Sequence, residues 1–261
     1  MKNTHYLLLA SILLLNACKK DTATFDYSKI KIKQSVTQHN SVYDTIRYTY
    51  TGEDVQTVTN YSNDPTFFYT FNYTKNGSKY DYSTFYGTTP THQGFYNINA
   101  QGLFDTSSIT NIITTNINNR DRYYYNSDGY NVRAISNYNT YENDVKKYYN
   151  SEGDYSYWIY DFSNFITPSN SYRDSVVFEY YTDENHVAFE YALQDRFGKR
   201  NKHLVKKRSS YNSVTGTLKS TYEYEYVLDS KGLVKNRIWR IYNQPGNVLT
   251  DTRITDYQYY E

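Results

Sequence analysis

The sequence predicts an all-β fold, an antiparallel up-and-down meander of about 14 strands at ordinary strand and turn lengths. Three observations predict it. Short runs alternate with period two: Thr221-Tyr222-Glu223-Tyr224-Glu225-Tyr226-Val227-Leu228 sets three Tyr and a Leu on one face and Thr, Glu, Glu and Val on the other, the signature of a half-buried strand. Aromatic strands run into polar turns that end in Gly at near-regular intervals, and Gly supplies the positive φ that tight turns need. No window carries an i, i+3, i+4, i+7 apolar stripe through three turns, so helices are few and short.

Taken in chain order, the N-terminus is a targeting segment. Lys2 precedes an apolar run over 6–15 and then Asn16-Ala17-Cys18, the three parts of a secretory signal over residues 1–17. The run falls short of the roughly 20 apolar residues that span a bilayer. Cys18 is the one cysteine of 261 residues, which excludes an intramolecular disulfide framework and a Cys-rich zinc site. Leu15-Asn16-Ala17-Cys18 resembles a bacterial lipobox, with Asn as a departure at its second position. That resemblance implies cleavage before Cys18 and lipidation of its thiol, palmitate being a typical chain. At roughly 0.8 kcal/mol per buried CH₂, two or three chains anchor a protein to a membrane for good. Residues 18–28, beginning Cys18-Lys19-Lys20-Asp21-Thr22-Ala23-Thr24, read as the acylated tether, and the expected address is the outer membrane, on either its surface or its periplasmic face.

The hairpins follow. Ile46-Arg47-Tyr48-Thr49-Tyr50 runs into Thr51-Gly52, and Phe71-Asn72-Tyr73 into Thr74-Lys75-Asn76-Gly77. The pattern returns at Ile98-Asn99-Ala100-Gln101-Gly102, Tyr125-Asn126-Ser127-Asp128-Gly129, Tyr149-Asn150-Ser151-Glu152-Gly153 and Leu228-Asp229-Ser230-Lys231-Gly232. Tyr181-Thr182-Asp183-Glu184-Asn185 keeps the phase, with Asn in place of Gly. A spacing of about 25 residues suits one hairpin and its return turn. Two stretches break the rhythm: the Ser/Asn/Pro loop 162–171, and Asp195-Arg196-Phe197-Gly198-Lys199-Arg200-Asn201-Lys202-His203 leading to Lys206-Lys207-Arg208. The second reads as a solvated basic loop or a charged strand edge. Strand patterns resume after each, so residues 29–261 are expected to form a single tyrosine-rich β-domain.

Leu, Ile, Val and Phe are scarce after Cys18, and tyrosine, with 35 residues in the chain, takes their place. Tyrosine favours strands and buries a ring while its hydroxyl reaches a polar partner. The unit of aromatic-x-aromatic, polar turn, Gly and β-branched return strand resembles the tyrosine-aspartate repeats of large bacterial surface proteins. It is closer to Bacteroidota lipoproteins of unknown function with a porin-like, soluble β-barrel fold. That resemblance implies a closed or partly open barrel and brings no catalytic residue with it.

Candidate chemistry is sparse. With 28 Lys+Arg against 27 Asp+Glu, nothing electrostatic calls for nucleic acid. His39, His92, His186 and His203 stand apart in sequence and read as surface or turn residues rather than metal ligands. Glu223 and Glu225, about 7 Å apart along one strand face, reach the spacing of an inverting glycosidase pair but read as its solvated side. Asp183-Glu184-Asn185 lacks the spacing of a calcium loop. No nucleophile elbow, phosphate loop or zinc-protease motif occurs, so no enzyme activity, cofactor or metal is expected. Trp158 and Trp239 lie among aromatics and read first as core rings; with Tyr157 and Tyr242 they are also the candidates for stacking on sugar. The expected role is a membrane-anchored, non-enzymatic scaffold or interaction module, with a polysaccharide or another envelope protein as partner. Two further readings are a surface glycan-binding lipoprotein and a carrier of an apolar ligand.

Overall fold

A computed structural model describes residues 30–63, 68–112, 118–184 and 193–260. The signal, the tether and Cys18 lie outside the described residues, as do His186 and Asn185. Residues Lys31–Glu261 form one compact unit. It contains sixteen strands: β1 (Ile32–His39), β2 (Val42–Thr51), β3 (Asp54–Ser62), β4 (Phe68–Asn76), β5 (Lys79–Tyr86), β6 (Thr89–Ile98), β7 (Phe104–Asn111) and β8 (Asn118–Tyr125). The second half comprises β9 (Asn131–Asn137), β10 (Tyr141–Tyr149), β11 (Tyr155–Asn164), β12 (Tyr172–Glu184), β13 (His203–Asn212), β14 (Leu218–Leu228), β15 (Val234–Asn243) and β16 (Val248–Tyr259). Each strand pairs antiparallel with its sequence neighbours, and β1 pairs with β16, so the meander closes into a barrel. Closure leaves no edge strand.

The glycine repeat marks one end of this barrel. Asn99, Asn126, Asn150 and Asp229 each accept, through the side-chain oxygen, the backbone N–H groups two and four residues on. The Gly three residues on holds a φ of 80–93° and donates to the Asx carbonyl. This one turn design therefore joins β6 to β7, β8 to β9, β10 to β11 and β14 to β15. The tyrosines beside the turns also have a structural task. Tyr50, Tyr125, Tyr149 and Tyr259, at or near the ends of even strands, donate their hydroxyls to the carbonyls of Ile32, Phe104, Asn131 and Val234 at 2.6–3.0 Å. Those acceptors are the first residues of the preceding odd strands, and all four are at most 2 % exposed. Ring and hydroxyl together tie each hairpin to its neighbour and seal this end.

Two details differ from the sequence reading. β12 continues as strand through Glu184, where the repeat phase placed a tight turn. The connection to β13 then runs on to Lys202, and its described part, residues 193–202, crosses the sealed end instead of standing in solvent. β11 likewise extends to Asn164, and only the remainder of the Ser/Asn/Pro stretch forms a loop, with a 3-10 turn over Pro168–Asn170.

Candidate functional site: a plugged aromatic lumen

Register decides which residues face inward. Lys147 pairs with Trp158, Trp158 with Val176, Val176 with Ser210 and Phe178 with Arg208, and on the far side Tyr224 pairs with Trp239 and Trp239 with Arg253. These residues point into the barrel, and Lys147 and Trp158 line its cavity. The intervening positions face out and are charged. Arg133 holds Asp144 through two 2.8 Å hydrogen bonds, Lys146 bridges Asp144 and Asp161 at 3.6 Å, and Arg173 meets Asp161 at 3.2 Å. Farther round, Lys207 faces Glu179 and Arg240 faces Glu225. The outer wall thus carries ion pairs, and the inner wall carries rings together with Lys147, Arg208 and Arg253. A membrane-spanning barrel has instead an outward apolar band.

The 193–202 segment plugs the sealed end. It begins at Leu193 and a 3-10 turn over Gln194–Phe197. Arg196 reaches Asp54 at 3.1 Å and the Gly102 carbonyl at 3.2 Å, and lies over the Tyr80 ring. Burial raises the Asp54 carboxyl, but hydrogen bonds from Tyr80, Lys75 and Arg196 outweigh it and hold the group below its ordinary range. Phe197 packs edge-on against Phe104 and Tyr123 at 5.0 and 5.1 Å. Gly198 has a φ of 105°, and a Cβ there would lie 2.9 Å from the Gly129 carbonyl, so only glycine passes. The Lys199 N–H donates to that carbonyl at 2.9 Å, and the Tyr155 N–H donates to Asn201 at 3.1 Å. His203 ends the plug. Its backbone N–H and Nδ1 both meet the Asp154 carboxylate, at 2.8 and 2.6 Å. His203 is buried, contrary to the expected surface position, because it fastens the plug to the β10–β11 turn. Glu152, 3.7 Å from the same nitrogen, completes the one group of three metal-type side chains among the described residues. Asp154 already spends both oxygens on His203, so the geometry is that of a latch.

Above the plug lies a cavity of about 560 Å³, within the range of small-molecule sites. Its two sides differ. Ile46, Val58 and Phe71, from β2, β3 and β4, form an apolar wall, and Asn131, Lys147 and Trp158, from β9, β10 and β11, form a polar one. Tyr48, Tyr73, Tyr96, Tyr123 and Phe197 lie between. The Lys147 Nζ donates to Asn131 Oδ1 at 2.8 Å and sits 5.7 Å from the Trp158 ring centre. Burial pushes the Lys147 ammonium down to about 8 and the Arg200 guanidinium down to about 10. Burial likewise raises Tyr96 to about 12 and lifts Tyr73 and Tyr123 farther. At neutral pH the tyrosines are therefore uncharged and the cations still protonated.

The structure splits the sugar-stacking candidates. Trp158 belongs to an inner ring group with Tyr155 and Phe178, at 4.9 and 4.7 Å. Trp239 belongs to another, parallel to Tyr224 at 6.3 Å and covered by Arg237 and Arg253. Tyr157 and Tyr242 point outward; Tyr157 stacks on Tyr148 at 4.3 Å. The four do not share one surface. Glu223 and Glu225 face out as expected, and the Arg240 hydrogen bond lowers Glu225, the opposite of what a general acid needs. Sequence reasoning passed over Lys147 and read the plug segment as a solvated basic loop or charged strand edge.

A closed sixteen-stranded antiparallel barrel with a plugged aromatic lumen is the class that fold and site define. No family model and no curated protein matches the sequence. Among solved structures, the chain is similar to a porin-like protein from Bacteroides uniformis, at 13 % identity and a TM-score of 0.64 over 88 % of this chain and 96 % of the other. A porin-like protein from Bacteroides vulgatus gives 10 % identity and 0.58 over 88 % and 98 %. At these identities the likeness establishes the all-β barrel fold.

Proposed function

We propose that this chain is a lipid-anchored envelope protein whose barrel stands in water and holds a small molecule in its lumen, without catalysing a reaction. The observation that carries this reading is the outer wall, which carries ion pairs where a membrane-spanning barrel needs an apolar band, around a cavity lined largely by rings. Each Lys or Arg facing lipid at mid-bilayer costs roughly 2–4 kcal/mol, and Lys146, Arg133, Arg173, Lys207 and Arg240 all face outward. Membrane attachment then falls to Cys18. Residues 193–202 close one end of the barrel, so the proposed route to the lumen is the opposite end. A pure scaffold has no need of a cavity of this size, and the divided set of sugar-stacking candidates gives the glycan reading no single platform.

The test uses the barrel alone, residues 31–261, which closes on itself through the β1–β16 pairing. Nile red, an uncharged probe whose emission shifts to the blue in apolar surroundings, is titrated into it. Saturable one-to-one binding that is lost in Val58→Trp supports the lumen reading. Absence of binding, or binding untouched by filling the cavity, overturns it. Metabolic labelling with a fatty-acid probe tests the anchor separately.

A further inference from the structure

The polar side of the cavity is built around one buried ammonium. Lys147 forms no ion pair among the described residues and owes its lowered pKa to burial alone. Its hydrogen bond goes to Asn131 Oδ1. An ammonium only donates, so that contact fixes the amide orientation and leaves Asn131 Nδ2 as the other end of the group. Asn131 is 2 % exposed, and its Nδ2 is buried beside Tyr125. Trp158 lines the same side of the cavity with its ring. Keeping an ammonium buried without a counter-charge is costly. Lys199 and Arg200 line the same cavity from the plug.

From this we infer that the lumen takes an amphipathic monoanion. A carboxylate or sulfonate head accepts from Lys147 Nζ, and an apolar body lies against Ile46, Val58 and Phe71 on the facing wall. The inference rests on the lumen-binding reading and names its ligand class. A neutral sugar brings no charge to balance the Lys147 ammonium. A cation is repelled.

The matched pair 11-(dansylamino)undecanoic acid and its methyl ester isolates the head group, since the two differ in charge and share the body. With the 31–261 barrel at pH 7, the acid is expected to bind at least tenfold more tightly than the ester, the weight of one charged hydrogen bond. Lys147→Met is expected to erase that preference and leave ester affinity unchanged. Lys147→Gln, which keeps a donor for Asn131 Oδ1 and removes the charge, is expected to weaken the acid severalfold and spare the ester, and it serves if Lys147→Met does not fold. Equal binding of acid and ester overturns the anion inference while the lumen reading stands. A preference for the acid that survives both substitutions overturns the assignment of the head to this side. Binding of neither probe overturns the lumen reading itself.

Discussion

Replacing Lys147 by Met should make the barrel more stable while it removes anion binding, and the size of the gain follows from the structure. Burial lowers the Lys147 pKa from 10.5 to about 8. At 1.36 kcal/mol per unit, holding the ammonium charged inside the fold costs about 3 kcal/mol at neutral pH. Methionine fills nearly the same volume with no charge. The substitution forfeits the 2.8 Å bond to Asn131 and leaves Asn131 Oδ1 unmatched, a loss of about 1–2 kcal/mol. The net expectation is a gain of about 1–2 kcal/mol. With a urea slope of about 2–3 kcal/mol/M, the unfolding midpoint should rise by about 0.5 M.

The pH dependence fixes the sign. Because the folded pKa lies below the unfolded one, the folded state loses this proton first, and between about 8 and 10.5 the unfolded state holds more protons. Wild-type stability therefore climbs with pH in that window, and the penalty is fully present below it. The groups facing Lys147 are Asn131 on β9, Tyr155 and Trp158 on β11, and Lys199 and Arg200 of the plug. Arg200 titrates from about 10 upward, so urea melts of both proteins, followed by far-ultraviolet circular dichroism, are compared at pH 7 and pH 9. The advantage of Lys147→Met should shrink as the wild type sheds its charge. A variant less stable than wild type by more than about 1 kcal/mol at pH 7 would show Lys147 to be a structural strut and refute the argument. So would an advantage that stays constant to pH 9.

Three further outcomes are expected. Cys18→Ser should move the protein from the membrane fraction to the soluble fraction with its β-sheet spectrum intact, and retention in the membrane fraction would contradict the anchor. Tyr149→Phe should cost about 1 kcal/mol through the lost bond to the Asn131 carbonyl, and Asn126→Ala a similar amount through its turn; an unchanged urea midpoint in either would deny these bonds a role. Gly198→Ala should unseat the plug, because its Cβ meets the Gly129 carbonyl at 2.9 Å and the Asn131 nitrogen at 3.1 Å. Limited trypsin digestion should then cut at Arg196, Lys199 or Arg200 much faster than in wild type, and equal rates would mean that the segment does not need its seat.

Much of the fold was legible because it rests on local chemistry. The Asn-x-x-Gly turn needs only its own five residues, so Asn99, Asn126, Asn150 and Asp229 announced one end of the barrel before any pairing was known. Strand count, reckoned from ordinary strand and turn lengths, came out near fourteen against sixteen because several connections are only two residues long, as at Asn40-Ser41 and Gly52-Glu53. The plug stayed hidden because its partners are distant: Arg196 meets Asp54 across 142 residues and His203 meets Asp154 across 49. The available signal was the failure of the repeat phase after Tyr181. Side-chain direction was the other gap. Lys146 and Lys147 are adjacent and look alike, yet one bridges Asp144 and Asp161 outside and the other stands in the lumen. Period-two alternation says that such neighbours face opposite ways, which also separates Tyr157 from Trp158; it cannot say which way is in.

Tyrosine resolves a conflict built into a barrel of this width. Sixteen strands enclose more space than side chains of ordinary size fill, and a leucine interior would leave either voids or an apolar surface in contact with water. A tyrosine ring spans farther, and its hydroxyl ends in a hydrogen bond. Near the turns that hydroxyl finds a neighbouring strand's carbonyl, as Tyr50, Tyr125, Tyr149 and Tyr259 do, and the barrel end is tied shut. Farther in, Tyr82 and Tyr180 bury hydroxyls with no such partner, alongside Trp158 Nε1 and Asn131 Nδ2. The same residue type therefore seals one end and leaves the middle rich in unmatched polar groups. Those groups are spread round the barrel, from Tyr82 on β5 to Trp239 on β15, so unmatched polar atoms are a general feature of this interior. What sets the cavity apart is the Lys147 ammonium, without an ion pair among the described residues, across from Ile46, Val58 and Phe71.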